Sequence, residues 1–158
     1  MSTSFQQSSA STGASATARP RGIDPRGPQF TASITVVVLV AILLLPTTAA
    51  TVLTAVQTAF FAIGAACGVQ HTPHAWVFRT FVRPRLAPPS ELEDPAPPRF
   101  AQAVGLVFLG VALAGYLTGA TLLGQIAIGF ALVAATLNAV FRFCLGCEMY
   151  LLIKRATA

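Results

Sequence analysis

Residues 30–45 read FTASITVVVLVAILLL, an uncharged run that is followed directly by Pro46. A second uncharged run, residues 47–67, begins at once after that proline. The first run has 16 residues, just short of the ~17 that the shortest membrane-crossing helix needs, and adding residues 46–48 extends it past that limit. Because proline does not continue a helix, Pro46 marks a tight corner. The two runs therefore predict membrane-spanning helices over about residues 30–48 and 48–67, joined as a helical hairpin.

The second half of the chain repeats this pattern. Residues 100–118 and 122–143 are apolar, and the short corner between them carries no charge. Gly115 and Gly119 form a small-residue pattern that we expect to pack these two spans closely. Only 9% of all residues are charged and 54% are hydrophobic, whereas soluble domains carry roughly 25% charged residues. The sequence predicts an all-α integral membrane protein with four transmembrane helices in two hairpins, over residues 23–158.

One alternative concerns the first run. Thr48, Ala49 and Ala50 resemble the small residues of a signal-peptide cleavage site. The segment before the run is long for the start of a signal peptide, so we favour a retained span.

The remaining segments differ in composition from the spans. Residues 1–22 are rich in Ser, Thr, Ala and Gln without an apolar period, which predicts a disordered cytoplasmic tail. Residues 23–29 carry two prolines and a glycine, so we expect a stiff, non-helical approach to the membrane. Residues 68–99 form an Arg/Pro-rich connector. We expect a short amphipathic helix over residues 74–83, lying in the headgroup layer, and an extended chain over residues 84–98.

The cations predict how the chain is threaded. All ten lie in three groups: before the first span, in the connector, and at the end of the fourth span. Neither corner carries one. Since cytoplasmic loops are enriched in Lys and Arg, both termini and the connector are predicted at the cytoplasmic face of the plasma membrane. The net charge of +5 is thereby explained without a nucleic-acid partner.

Residues 142–150 concentrate the reactive side chains. Cys144 and Cys147 are three residues apart, so on a helix they share a face and could form a disulfide. Glu148 is a candidate proton acceptor, and these three residues make up a predicted redox site. If the fourth helix continues through the pair, the cysteines lie at its C-terminus, where the dipole disfavours a thiolate. A break at Gly146 would remove this objection, and the sequence leaves both possibilities open.

Two other interpretations of the cysteines remain. The predicted threading brings Cys67, His71 and His74 to the same membrane face as Cys144 and Cys147, a weak alternative set of metal ligands. The cysteines could also serve only as small packing residues. We expect no metal and no cofactor.

Polar residues within the spans are expected to pair between helices. Asn138 and Arg142 lie one turn apart on the same face of the fourth span, and Gln57 lies in the middle of the second. Side chains of this kind usually find hydrogen-bond partners on neighbouring helices. No span carries a deeply placed acid or base, which disfavours proton-coupled transport.

The sequence resembles an actinobacterial membrane family of unknown function, domain of unknown function 4395. The resemblance covers about residues 22–155 and is carried by the following residues: 24–28, 78–79, 82–86, 88–94, 97–102, 137–139 and 144–150. The family's genes often lie near thioredoxin-like and sulfurtransferase genes, which implies a role in thiol or sulfur chemistry. Cys67 is not associated with the family, so the resemblance implies Cys144 and Cys147 as the functional pair.

These observations lead to one functional hypothesis and two alternatives. The chain is expected to be a membrane partner in thiol-disulfide or sulfur transfer, together with a thioredoxin-like or sulfurtransferase protein. It could instead be a structural subunit that docks a soluble partner through Arg79, Arg83 and Arg85, with Trp76 at the headgroups. A small permease for sulfur compounds is the third reading, and it would require a homo-oligomer. The sequence carries no nucleotide-binding loop or hydrolase motif, so a stand-alone enzyme is disfavoured.

Overall fold

The computed structural model describes residues 22–157 and is helical throughout its ordered elements. The predicted tail lies, apart from Gly22, outside the described residues. Six α-helices follow one another: α1 Arg26–Leu44, α2 Thr47–Cys67, α3 Pro73–Val77, α4 Ala96–Leu117, α5 Thr121–Phe141 and α6 Leu145–Ala156. Shorter turns lie between α3 and its neighbours: a 3₁₀ turn at Val69–His71, a π turn at Phe78–Val82 and a 3₁₀ turn at Arg83–Arg85.

Helices α1, α2, α4 and α5 are long and apolar enough to cross a membrane. They contain 19 to 22 residues, so at ~1.5 Å per residue each is about 28–33 Å long, close to the ~30 Å of a bilayer's hydrocarbon core. Large apolar side chains cover their outer surface, including Leu44 (80% exposed), Val37 and Leu117 (69% each). Such an apolar exterior suits lipid rather than water. The prediction of a four-span helical membrane protein is confirmed to this extent.

Prolines lie in the first turns of two spans. Pro28 lies in the first turn of α1, and Pro97 and Pro98 lie in the first turn of α4. The first N–H groups of a helix have no intrahelical partner, so a proline there loses no hydrogen bond. For this reason the helices begin earlier than the composition of residues 23–29 and 84–98 led us to expect.

The four spans form a closed ring in which α1 contacts α2 and α5, and α4 contacts α2 and α5. Their shared core is apolar and is centred on Leu39, Ile42, Leu109 and Ile128, each at most 1% exposed. Within this core Gln57 donates a hydrogen bond from Nε2 to Oγ1 of Thr35, at 3.3 Å. The side-chain amide of Gln57 therefore finds a hydrogen-bond partner on the neighbouring helix α1, as expected for a polar group in a membrane.

The close contact between α4 and α5 involves only one of the predicted pair of glycines, Gly115 and Gly119. A Cβ at Gly115 would lie 2.8 Å from the backbone nitrogen of Gly124, so these two glycines allow the helices to touch. Gly119 has no neighbour within 4 Å of such a Cβ, and it lies in the turn with φ of +80°. The close approach of α4 to α5 thus depends on Gly115 with Gly124, whereas Gly119 only turns the chain.

The segment between α2 and α4 is fixed to the start of α1 and to the residues just before it. Ile23 and Glu93 exchange two backbone hydrogen bonds of 2.9 and 3.0 Å, and Arg26 donates to the carbonyl of Ala87 at 3.0 Å. The ring of Phe78 packs on Phe30 of α1, with centroids 5.6 Å apart. This bundle end, opposite the two short corners, is therefore covered by protein.

Candidate functional site

The fourth span ends before the cysteine pair. Arg142 adopts a left-handed backbone conformation, with φ of 57°, and its N–H donates to the carbonyls of Asn138 and Leu137. Left-handed residues commonly end helices. The chain therefore leaves α5 after Phe141 and starts a separate helix, α6, at Leu145. The sequence left open whether the fourth helix continues through the cysteine pair or breaks at Gly146. The structure shows a break, and it lies at Arg142 rather than at Gly146.

Because of this break, Cys144 occupies the N-cap position of α6. Its Sγ accepts a hydrogen bond from the backbone N–H of Cys147, at 3.4 Å. The two sulfur atoms lie within disulfide distance, and the Cα atoms are 5.1 Å apart, in the usual range for a disulfide. The N-terminal end of a helix stabilises negative charge. The pair thus lies at the helix end that favours a thiolate, the opposite of the position expected from a continuous fourth span.

Helix α6 is held against α4 by a glycine contact. A Cβ at Gly146 would lie only 2.6 Å from Cα and 2.7 Å from Cβ of Ala101, which leaves no room for a side chain. One turn later the ring of Tyr150 packs on Phe100, with centroids 5.8 Å apart. These contacts fix the first turn of α6, and with it the cysteine pair, to the start of α4.

The pair lines a cleft of about 480 Å³ at this bundle end. The cleft is bounded by α1, α4, α5, α6 and the segment before α4. Its polar and charged walls consist of Arg26, Gln29, Glu93, Asp94, Asn138, Arg142 and Glu148. A volume of this size lies in the range of small-molecule sites. The disulfide therefore borders a cleft with charged side chains in its wall and is not enclosed in the apolar core.

Two contacts hold the polar wall of this cleft in place. Oδ1 of Asp24 accepts hydrogen bonds from the backbone N–H and from Nε of Arg26, at 3.0 and 3.2 Å. Nε2 of Gln29 donates to the carbonyl of Ala139 at 3.0 Å, which ties the start of α1 to the end of α5. The Arg26 side chain is thus fixed at its Nε as it enters the cleft wall.

The structure brings together five of the residues singled out in the sequence. Cys144, Cys147, Glu148, Asn138 and Arg142 all line the cleft. Glu148 is exposed in the first turn of α6.

The cleft residues contributed by residues 25–29 and by residues 93–98 were not predicted. The sequence shows charges and prolines in these two segments, but the segments are far apart along the chain. Nothing in their composition indicates that they meet at the cysteine pair.

The alternative metal ligands are not brought together. His71 lies one turn after Cys67, and its Nδ1 lies 2.7 Å from the carbonyl oxygen of that residue. His74 is buried, with its ring packed edge-on against Phe60 at 5.2 Å. Burial lowers the pKa of His74 below its ordinary value of 6.5, so the ring is neutral at pH 7. Within residues 22–157, no three side chains of His, Cys, Asp or Glu are placed to hold a metal ion.

The predicted basic docking residues form a separate surface. Arg79, Arg83 and Arg85 are exposed on the turns after α3. Trp76, 55% exposed, packs edge-on against Phe81, 51% exposed, with centroids 6.0 Å apart. These five residues, which we call the basic aromatic surface, project from the covered bundle end.

The smaller cavity beside this surface has a volume of about 240 Å³, and its wall includes Arg79, Arg83, Asp24 and Gln70. Oδ2 of Asp24 and Oε1 of Gln70 are buried there without a hydrogen-bond partner among the described residues. Arg79 and Arg83 do not line the cysteine cleft, whereas Asp24 connects the two sites through its bonds to Arg26.

Fold and site together define a multi-pass helical membrane protein with a cysteine pair at one end of its bundle. The chain belongs to the family described as domain of unknown function (DUF4395), which matches residues 23–155. The match includes all four spans, the segment between α2 and α4, and nearly all of α6. No curated protein and no solved structure matches the chain.

Proposed function

We propose that the chain is a membrane partner in thiol-disulfide exchange, with Cys144 and Cys147 as the exchanging pair. One observation carries the proposal: the pair lies at the N-terminus of α6, within disulfide distance, on the wall of a cleft that also carries charged side chains. A structural disulfide has no need of a cleft lined by charged side chains. Reactive cysteines, by contrast, are typically found at helix N-termini in partly exposed, polar surroundings.

The geometry suggests separate roles for the two cysteines. In the reduced state the Cys144 thiolate, stabilised by the Cys147 N–H and the α6 dipole, attacks a substrate disulfide. A bond forms between Cys144 and one substrate sulfur, and the other substrate sulfur leaves and takes a proton. Glu148 accepts the proton of Cys147, whose sulfur then attacks Sγ of Cys144 and displaces the second substrate sulfur as a thiolate. That thiolate takes the proton from Glu148. The chain loses two electrons, the substrate gains two, and the disulfide of the present structure results.

We further propose that the spans form two hairpins joined by residues 68–95, with both termini at the cytoplasmic face of the plasma membrane. The distribution of Lys and Arg supports this threading. It directs the cleft toward the cytoplasm, where a thioredoxin-like or sulfurtransferase protein is the expected partner.

Trapping tests the exchange. Cys147→Ser removes the resolving sulfur, so we expect a mixed disulfide with a cytoplasmic protein to accumulate on Cys144 and to appear on a non-reducing gel. Cys144→Ser should form none, and Cys67→Ser, a matched control at the exposed free cysteine, should behave as the wild type. If, after mild reduction, neither Cys144 nor Cys147 reacts with maleimide in inverted vesicles, the proposal is wrong.

A docking role is the second candidate, supported by the basic aromatic surface. Its exposed arginines and the Trp76–Phe81 pair suit an acidic partner or lipid headgroups. Under this reading Arg79→Glu with Arg83→Glu loses the partner, whereas Cys144→Ser with Cys147→Ser retains it. Co-purification of the two double variants from the same membranes separates the candidates.

A further inference from the structure

Helix α6 has three different sides. Gly146 and Tyr150 pack on α4, and Cys147, Glu148 and Leu151 line the cleft. The third side, which we call the outer face of α6, consists of Leu145, Met149, Leu152 and Ile153, which are 38%, 47%, 60% and 51% exposed. At 100° per residue these four positions fall within an arc of about 100°, the width of an apolar helix face. The described structure therefore leaves about two fifths to three fifths of each of these side chains exposed.

The direction of the outer face follows from the cleft. The cleft walls include Gln29 of α1 and Asn138 of α5, so the cleft side of α6 points over the end of the bundle. The outer face lies on the other side of the helix and therefore points to the perimeter. Phe141 and Phe143, just before α6, are 69% and 46% exposed. The outer face thus continues the apolar surface that the spans present to lipid.

The charges of α6 fit a position at the membrane surface. Lys154 and Arg155 are exposed in its last turn, and Glu148 lies in its first turn. A strongly amphipathic helix with basic residues on its polar side is typical of helices that lie in the headgroup layer. Basic residues next to a bilayer are attracted to anionic headgroups.

We infer that the outer face of α6 is immersed in the boundary between headgroups and acyl chains, with Lys154 and Arg155 at anionic lipid headgroups. Helix α6 is then a membrane-surface helix that holds the cysteine pair at its N-terminus at the level of the bilayer surface. This inference holds whether or not the pair exchanges disulfides.

Tryptophan fluorescence tests the immersion in proteoliposomes of the full chain. Trp76→Phe removes the single native tryptophan, and Met149→Trp or Leu152→Trp then places a probe on the outer face. Lys154→Trp, about 160° from position 152 on the helix, is the matched control. We expect acyl-brominated phosphatidylcholine to quench positions 149 and 152 at least twofold more strongly than position 154. Acrylamide should show the reverse order.

Three results would overturn the inference. Equal quenching at the three positions means that the face is not immersed. Stronger acrylamide quenching at 149 and 152 means that it lies in water. Protection of both positions from both quenchers means that a second copy of the chain covers it. The two outer-face probes are independent variants, and helical circular dichroism shows whether each one is folded.

The lipid charge is tested with the same probe. Lys154→Glu with Arg155→Glu should reduce bromolipid quenching at position 152 in vesicles that contain phosphatidylglycerol. In phosphatidylcholine alone the same change should have little effect. Equal effects in both vesicles would show that anionic headgroups are not recognised.

Discussion

Replacing Gly146 by alanine should push α6 away from α4. The new Cβ would lie 2.6–2.7 Å from Cα and Cβ of Ala101, whereas ordinary contact starts at 3.4 Å. Helix α6 or α4 must therefore move by roughly 0.7–0.8 Å, and overpacking of this kind costs ~1–3 kcal/mol. Alanine has a higher helix propensity than glycine, by up to ~1 kcal/mol. This gain offsets part of the destabilisation that the clash causes.

Gly129→Ala is the matched control for this change. Gly129 lies within α5, and a Cβ there meets no atom within 4 Å. The control gains the same helix preference without the clash, so the preference cancels when the two variants are compared. We expect Gly146→Ala to be less stable than Gly129→Ala by ~1–3 kcal/mol.

Thermal unfolding in detergent, followed by helical circular dichroism, measures this difference. Each kcal/mol corresponds to about 2–4 °C in a chain of this size. A displaced α6 should also open the cleft, so a thiol reductant should reduce the Cys144–Cys147 disulfide faster in Gly146→Ala than in the control. If the two variants unfold at the same temperature and are reduced at the same rate, α6 does not rest on Ala101 and the site geometry is wrong.

Three more predictions concern stability. Arg142→Gly removes the steric cost of a left-handed arginine and should raise the unfolding free energy by ~1 kcal/mol in a denaturant titration; a loss would show that the arginine side chain stabilises the break. Burial lowers the pKa of His74, so the unfolded chain binds its proton first, and stability should fall as pH drops below 6.5. His74→Phe should remove this dependence between pH 7.5 and 5.5; an unchanged pH profile would assign it to other groups. Gly115→Ala should destabilise by ~1–3 kcal/mol because its Cβ meets the backbone of Gly124, whereas Gly110→Ala, with no atom within 4 Å, should not; equal unfolding temperatures would contradict this.

Apolar run length and the absence of charge decided the four spans directly. A stretch of about twenty uncharged apolar residues has few stable alternatives to a membrane helix, because its backbone must be satisfied within the segment. The residues at which the helices begin were harder to predict from the sequence. Pro28, Pro97 and Pro98 led to the prediction of non-helical segments. A proline in the first turn of a helix is nevertheless compatible with that helix.

The ring order of the spans was not readable from the sequence. Gly115 and Gly119 have the spacing of a packing motif, but the partner of Gly115 is Gly124 on the next helix. A spacing along one helix states which residues share a face, and it does not state which helix that face meets.

The sequence itself showed where the reactive side chains are concentrated, since Cys144, Cys147 and Glu148 are close together along the chain. The meaning of that cluster depended on a single backbone conformation. The left-handed Arg142 turns what would be the unfavourable end of α5 into the favourable start of α6. Arginine carries no strong preference for this conformation. The packing of Gly146 on Ala101 and of Tyr150 on Phe100 is consistent with a separate α6 that follows the break. The sequence by itself determined a helical membrane protein with a cysteine pair at one end. Only the tertiary structure placed that pair at a helix N-terminus and built its cleft from distant segments, because such contacts join residues that no local pattern connects.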